Sequence, residues 1–327
     1  MSIDLVKNAM RLLVTGGAGF IGSNFIRYML TKYPDYQIIN LDKLTYAGNP
    51  ENLRDVEKNK KYTFIKGDIN DTKLIEKILT PRDRLINFAA STHVDRSIKD
   101  ASDFIRANIQ GTYSLLEAAR HKKLKLFLQI STDEVYGSIL KGKSREKDPL
   151  EPNSPYSASK ASADHLVRSY HITYKLPAII TRSSNNFGPY QYPEKAIPLF
   201  VTNLLEGKKI PLYGDGLNCR DWIFVLDNCR AIDMVIHKGK TGEIYNIGTG
   251  SEIPNILLAK KILSLTRKTN SSIEYVPDRP GHDRRYALNC AKLKNLGWQK
   301  EFKLEPALKI TIDWYKNNQG WWKKLKK

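Results

Sequence analysis

Tyr156 and Lys160 stand four residues apart in the run Tyr-Ser-Ala-Ser-Lys, a spacing that brings both side chains to one face of a helix. A cation beside a phenol lowers the phenol's pKa. Such a pair could take a proton from a hydroxyl while hydride leaves the same carbon. The spacing is also common for a solvated pair on an ordinary helix. Upstream, Ser131-Thr132-Asp133-Glu134-Val135-Tyr136-Gly137 sets a hydroxyl and two adjacent carboxylates directly after an apolar run. If that run is a parallel strand, its carboxyl end is where ligands bind, so Thr132, Asp133 and Glu134 would supply a hydrogen-bond donor, an acid and a base. Alternatively, the two carboxylates cap the next turn.

A second group lies near the start, in Leu12-Leu13-Val14-Thr15-Gly16-Gly17-Ala18-Gly19-Phe20-Ile21-Gly22. Gly16 would allow a tight turn, Gly19 a close approach of backbone to a pyrophosphate, and Gly22 close packing of helix on sheet, with the helix N-terminus facing the phosphates. Asp42 ends the second apolar run, where its carboxylate can bond both hydroxyls of an adenosine ribose. That carboxylate would repel a 2′-phosphate, while neighbouring Lys43 works the other way. NAD is expected over NADP.

Elements must hold these groups in place. Apolar, β-branched or aromatic runs at Arg11 to Thr15, Gln37 to Leu41, Tyr62 to Lys66, Arg84 to Phe88, Leu126 to Ser131 and Ala178 to Arg182 alternate with longer amphipathic segments. This alternation predicts an α/β fold, a Rossmann-like doubly wound parallel sheet. From about Pro189 the pattern breaks into turns and shorter elements, with helices expected at Ile197 to Glu206, Val225 to His237, Ile253 to Lys268 and Leu304 to Asn317. These read as a smaller α/β substrate-binding lobe. The expected division is 1–188 for the dinucleotide domain and 189–327 for the lobe, with some interleaving. Ser138 to Pro155 reads as a surface loop leading into a helix that starts near Tyr156.

Several motifs together resemble the extended short-chain dehydrogenase/reductase family: the Gly-x-x-Gly-x-x-Gly spacing, Gly67-Asp68-Ile69, Ala89-Ala90, Val94-Asp95-Arg96-Ser97 and Tyr156 with Lys160. Thr132-Asp133-Glu134, Arg182 to Gln191, Pro193 to Pro198, Tyr213 to Trp222 and Asp278 to Arg285 resemble its nucleotide-sugar 4,6-dehydratases, over a span from Arg11 to about Trp314. GDP-mannose dehydratases and UDP-glucuronate decarboxylases of that family usually carry Ser at the place of Asp133, and the epimerases usually lack the acid pair, so Asp133 is the discriminator.

The resemblance implies an NAD-dependent hydro-lyase that converts dTDP-glucose to dTDP-4-keto-6-deoxyglucose and water. Tyr156 and NAD would oxidise C4, Glu134 would remove the C5 proton, Asp133 would protonate the departing C6 hydroxyl, and hydride would return to C6. Thr132 would bond the C4 oxygen and Lys160 the nicotinamide ribose. The implied cofactor contacts are Gly16, Gly19, Phe20, Ile21, Gly22, Asp42, Lys43, Leu44, Thr45, Asp68, Ile69, Ala89, Ala90 and Asn186, beside Tyr156 and Lys160. For the substrate they are His93, Thr132, Asn185, Lys195, Arg220, Asn255, Arg279 and His282, the two arginines suiting a diphosphate. A homodimer is implied through the helix that carries Leu115 and Arg120. Ser91-Thr92 departs from the usual Glu-Ser before His93, and Leu226 and Asn228 replace the usual Glu and His.

Charge and composition set the limits. Fifty-three Lys and Arg against 34 Asp and Glu give +19, which suits a dinucleotide, a sugar diphosphate or nucleic acid without choosing among them. Retention of Tyr156, Lys160 and the acid pair favours an enzyme over an NAD-sensing or nucleic-acid-binding protein on the same fold. The competing enzyme is another nucleotide-sugar dehydratase, epimerase or decarboxylase. Basic concentrations at Lys58 to Lys61, Lys141 to Lys147 and Lys323 to Lys327 read as solvated surface, although Trp321-Trp322 with the final lysines could touch an anionic surface. Cys219, Cys229 and Cys290 read as buried free thiols, and no metal set stands out. Without a spanning apolar run, or a signal peptide in Met1 to Met10, the expected location is cytoplasmic, away from membranes.

Overall fold

A computed structural model describes residues 9–326; Lys327 and most of the Met1 to Met10 segment lie outside the described residues. The chain enters β1 (Arg11–Thr15), turns through the glycines into α1 (Phe20–Lys32), and continues through β2 (Gln37–Asp42), β3 (Tyr62–Lys66), α2 (Thr72–Ile78) and β4 (Asp83–Asn87). Next come α3 (Val94–Lys99) and a π-helical turn, Ile105–Gln110, that runs into α4 (Gly111–Lys122). β5 (Leu126–Thr132) leads to a 3-10 turn, Asp133–Tyr136, then α5 (Pro155–Tyr174) and β6 (Ala178–Ser183).

Both β5 and β6 are buried along their whole length, so they need cover on both faces. The helices supply it. The strands join in the order β6-β5-β4-β1-β2-β3, all parallel. The chain leaves β3 at one edge and resumes beside β1 on its other side, which opens a crevice at the carboxyl ends of β1 and β4. The Arg84 to Phe88 expectation shifts by one residue, because the ladder to β1 pairs Arg11 with Asp83 and ends with Thr15 opposite Asn87.

After β6 the chain forms β7 (Asn185–Phe187), α6 (Ala196–Leu205), β8 (Ile210–Tyr213), β9 (Cys219–Phe224) and α7 (Val225–Lys238). It continues with β10 (Ile244–Ile247), β11 (Glu252–Pro254), α8 (Asn255–Thr266), β12 (Ile273–Val276), α9 (Leu304–Asn317) and α10 (Gln319–Lys323). β10 returns to the large sheet as a seventh strand beside β6, while β11-β9-β7 and β12-β8 make two small sheets. The helix expected from Ile253 starts instead at Asn255, because Ile253 pairs with Arg220 across the small sheet and Pro254 is extended.

Leu226 packs against the cores of both lobes, and Asn228 is fully buried with neither amide atom partnered, so these departures fall in packing. Cys229 and Cys290 are buried, but Cys219 is half-exposed at the start of β9, the central strand of its small sheet, against the expectation of three buried thiols. Leu115 faces the sheet core, and Tyr113 on the same helix is exposed instead. Trp321 and Trp322 are both buried, which withdraws them from any external surface. Among the described residues no helix is long and apolar enough to cross a membrane.

Candidate active site

The crevice is a cleft of about 680 Å³, lined at one end by the glycine turn and Asp42 and at the other by Thr132, Asp133, Glu134, Tyr156 and Lys160. At the turn, Gly16 has φ +69°, and a Cβ there would lie 2.6 Å from the Ala89 nitrogen. A Cβ on Gly22 would meet the Gly16 carbonyl at 2.5 Å. Only glycine allows this closeness. The Asp42 carboxylate is anchored by N–H groups of Ala18 at 2.9 Å and Leu44 at 2.8 Å, and burial raises its pKa. Each oxygen keeps a further lone pair for a ribose hydroxyl. Lys43 pairs with Asp68 at 2.8 Å, so it is not a free cation for a 2′-phosphate. Phe20, Ile21, Thr45, Ile69, Ala89, Ala90 and Asn186 also line the cleft, whereas Leu44 contributes its N–H to Asp42. These residues fit a dinucleotide without a 2′-phosphate.

At the other end, β5 delivers Thr132 as the N-cap of the 3-10 turn, its hydroxyl oxygen accepting the Glu134 N–H at 3.3 Å and its O–H donating to Asp133 Oδ1 at 3.3 Å. Capping is therefore done by Thr132, not by the carboxylates. Asp133 is buried with Oδ2 unpartnered; burial first, then the Glu134 charge, push its pKa well above the usual carboxylate range. Glu134 is half-exposed to the cleft, and burial raises its pKa as well, opposed by Arg279, Lys195 and Arg220.

α5 begins with Ser154 and Ser157 in a reciprocal cap and Pro155 in the first turn. Tyr156 follows, its N–H donating to Ser97 Oγ at 3.2 Å and its ring edge-on to Phe104. The expected lowering of its pKa does not occur. Burial and the Glu134 charge raise it well above the ordinary phenol value, while the Lys160 ammonium turns away to the Ile130 carbonyl at 2.6 Å. Burial lowers Lys160 to about 8, with Asp164 opposing.

The remaining expected contacts divide. Asn185 and Lys195 line the cleft; Asn185 Oδ1 has no partner, and Lys195 Nζ donates to the Thr92 carbonyl at 2.8 Å. His93, Arg220, Asn255, Arg279 and His282 stand outside that lining. His93 caps α3, accepting the Arg96 N–H at 3.3 Å. Arg220 donates to carbonyls of Cys219, Asp283 and Arg284 and stacks on Tyr286, an arrangement that leaves little of it for a ligand. Arg279 pairs with Asp95 at 3.1 Å while its Nε is buried and unpartnered, and His282 is held by Asp278 at 2.5 Å. The Asn255 Oδ1 is also unpartnered.

Sequence reasoning missed several lining residues. Tyr46 lies under Arg96 at 4.1 Å, and Arg96 also pairs with Glu194 at 2.9 Å; burial pushes the Tyr46 phenol up to about 12. Ser131 and Gln191 each present an unpartnered oxygen, and Tyr190, Trp321 and Leu325 close one wall. Ser131, Tyr190, Gln191 and Trp321 lie in runs that the sequence singles out, but nothing there marks them as cleft lining, and Tyr46 carries no local pattern at all.

Residues 13–311 match the family model described as GDP-mannose 4,6 dehydratase. The chain is 51% identical to the low-salt glycan biosynthesis protein Agl12 of Haloferax volcanii, over 94% of this chain and 98% of that protein. It is 47% identical to a dTDP-glucose 4,6-dehydratase of Streptomyces niveus, over 97% and 96%. Among solved structures, a dTDP-glucose 4,6-dehydratase from Streptomyces venezuelae with NAD and dTDP bound superposes with TM-score 0.95 at 50% identity, over 97% of this chain and all of that one. A Thermus thermophilus UDP-glucose 4-epimerase with NAD gives 0.86 at 29%, over 94% of this chain and all of that one.

Proposed function

The chain belongs to the GDP-mannose 4,6 dehydratase family, and from that membership we propose that it acts as a dTDP-glucose 4,6-dehydratase, with NAD as cofactor. The observation that carries the reading is the pair of adjacent carboxylates, Asp133 and Glu134, beside Tyr156 in a cleft that fits a dinucleotide. Oxidation at C4 alone requires a single base. Removal of water across C5 and C6 requires a further base and an acid.

NAD, which Asp42, Lys160 and Asn186 would hold, would supply the hydride chemistry, oxidation at C4 and reduction at C6, and a positive nicotinamide ring. Tyr156, as the phenolate that the positive nicotinamide ring would favour against the Glu134 charge, takes the C4 hydroxyl proton, with Thr132 donating a hydrogen bond to the C4 oxygen as it becomes a carbonyl. The new ketone acidifies the C5 proton, which Glu134 removes. Asp133, whose pKa burial and its neighbour's charge raise, gives its proton to the C6 oxygen, and water leaves. Glu134 returns its proton to C5 as hydride arrives at C6. The proton from the C4 hydroxyl restores Asp133, so the cycle closes.

Lys160 and Asn186 hold the nicotinamide end, while Asp42 and Asp68 hold the adenosine. The Arg279 Nε and the Asn185 and Asn255 oxygens, all buried without partners, serve the substrate. Arg220 acts through its field on the carboxylates more than by contact. The working form is a cytoplasmic homodimer joined along α4 and α5, where Tyr113 and Tyr174 remain exposed.

The test is incubation with dTDP-glucose and with UDP-, CDP- and GDP-sugars in parallel, followed by product mass. Loss of one water from dTDP-glucose, without accumulation of reduced cofactor, is the expected result. Water loss from a different sugar nucleotide would reassign the substrate, and intact sugars throughout would remove the dehydratase reading.

A further inference from the structure

The segment that follows α9 crosses the side of the cleft. Trp321 is 9% exposed and lines the cleft together with Leu325. Its Nε1 donates to Asn52 Oδ1 at 2.9 Å, and Asn52 Nδ2 donates to the Ala18 carbonyl at 2.8 Å, inside the glycine turn. The indole is thus two hydrogen bonds from the backbone that faces the pyrophosphate. Farther along, Lys324 pairs with Glu51 at 3.4 Å on the dinucleotide side. On the lobe side, Lys326 reaches Glu206 at 3.0 Å and the Leu325 carbonyl accepts the Tyr192 hydroxyl at 3.2 Å. The segment is fastened to both banks.

The same wall is stiffened by Tyr190, whose ring packs 4.7 Å from Trp314 and lies edge-on to Trp321 at 6.1 Å, with the Arg27 guanidinium 4.6 Å over it. None of these groups supplies an acid or base to the reaction. What they supply is closure.

We infer that Trp321, held by Asn52, is a positioning residue that retains the dinucleotide between departure of hydride from C4 and its return to C6. The inference rests on the dehydratase reading. An enzyme that reoxidises its own cofactor has to keep it throughout the cycle. If the reduced dinucleotide escapes, two electrons leave with it, the sugar stays oxidised at C4, and none reach C6. Retention therefore matters here, whereas an enzyme that exchanges cofactor each turn has to let it go.

The first measurement uses the unmodified protein with NAD alone: amide hydrogen exchange over residues 319–325, with and without the dinucleotide. Slower exchange in its presence is expected. The second compares Trp321→Ala and Trp321→Phe for dissociation of bound NAD, with about a tenfold faster release for the Ala variant, as loss of a buried aromatic contact implies, and partial rescue by the Phe variant. With dTDP-glucose, the Ala variant should also shed reduced dinucleotide into solution, read by its ultraviolet absorbance. Unchanged protection with NAD overturns the inference, as does an Ala variant that melts like the parent and releases NAD at the parent's rate. If the Ala variant does not fold, the exchange measurement decides alone. Absence of sugar turnover would sink the dehydratase reading while leaving the NAD-only results intact.

Discussion

Asp133 shows how a residue can be placed for chemistry at the expense of stability. Its carboxyl is buried, one oxygen is unpartnered, and Glu134 stands next to it. Folding raises its pKa, so the protonated form suits the folded state, and the penalty on the charged form grows as pH climbs from the ordinary carboxylate range through the raised value. Asp133→Asn should therefore stabilise the protein by ~1 kcal/mol at neutral pH, with the gain fading near about pH 4, where the parent's carboxyl is protonated in both states. Dehydration should fall sharply in the same variant. Thermal melts across pH check the first expectation, and a gain that stays constant with pH would contradict the assigned cause. Lys160 and Tyr156 teach a different lesson at this scale. Their spacing puts them on one face, yet the Lys160 ammonium chooses a carbonyl of β5, while burial and the Glu134 charge raise the phenol's pKa.

At the scale of elements, a buried ion pair ties together the pieces that carry the site. Arg182 of β6 donates to Asp164 of α5 at 2.8 Å and to the Tyr136 hydroxyl at 2.8 Å, and that hydroxyl donates to Asn246 of β10 at 2.9 Å. Tyr136 closes the turn that begins with Asp133, so one guanidinium joins the catalytic helix, the catalytic turn and two strands. Asp164→Ala would strand Arg182 in a dry interior and should cost about 3–5 kcal/mol. Combining it with Arg182→Leu should recover part of that loss, because the orphaned charge is gone. Urea unfolding of the single and double variants measures both, and a double variant worse than the sum of the singles would contradict the ion-pair account.

For the whole molecule, the two lobes share segments: β10 joins the large sheet after the chain has built part of the lobe, and α10 returns to the cleft wall. The exposed aromatic rings of Tyr113 and Tyr174, each close enough to Tyr170 to perturb its hydroxyl, leave an uncovered strip along α4 and α5. In the proposed homodimer that strip is covered by a second copy. The double change Tyr113→Lys with Tyr174→Glu should shift the sedimentation coefficient from dimer to monomer with the fold retained. A parent protein that sediments as a monomer would remove the dimer.

The sequence by itself determined the elements and chemistry whose causes are local. Strand and helix periods repeat over a few residues, and a glycine at Gly16 or Gly22 is required by its immediate neighbours. A carboxylate at the end of a strand, such as Asp42, and the run Thr132-Asp133-Glu134 could be read for the same reason. Tertiary structure alone decided where Lys160 points, that Arg220 spends its guanidinium on backbone carbonyls, that β10 completes the sheet, and that Trp321 reaches Asn52 across 269 positions of chain. Such contacts are settled by packing and by the demand that every buried donor find an acceptor, and neither leaves a periodic mark in the sequence.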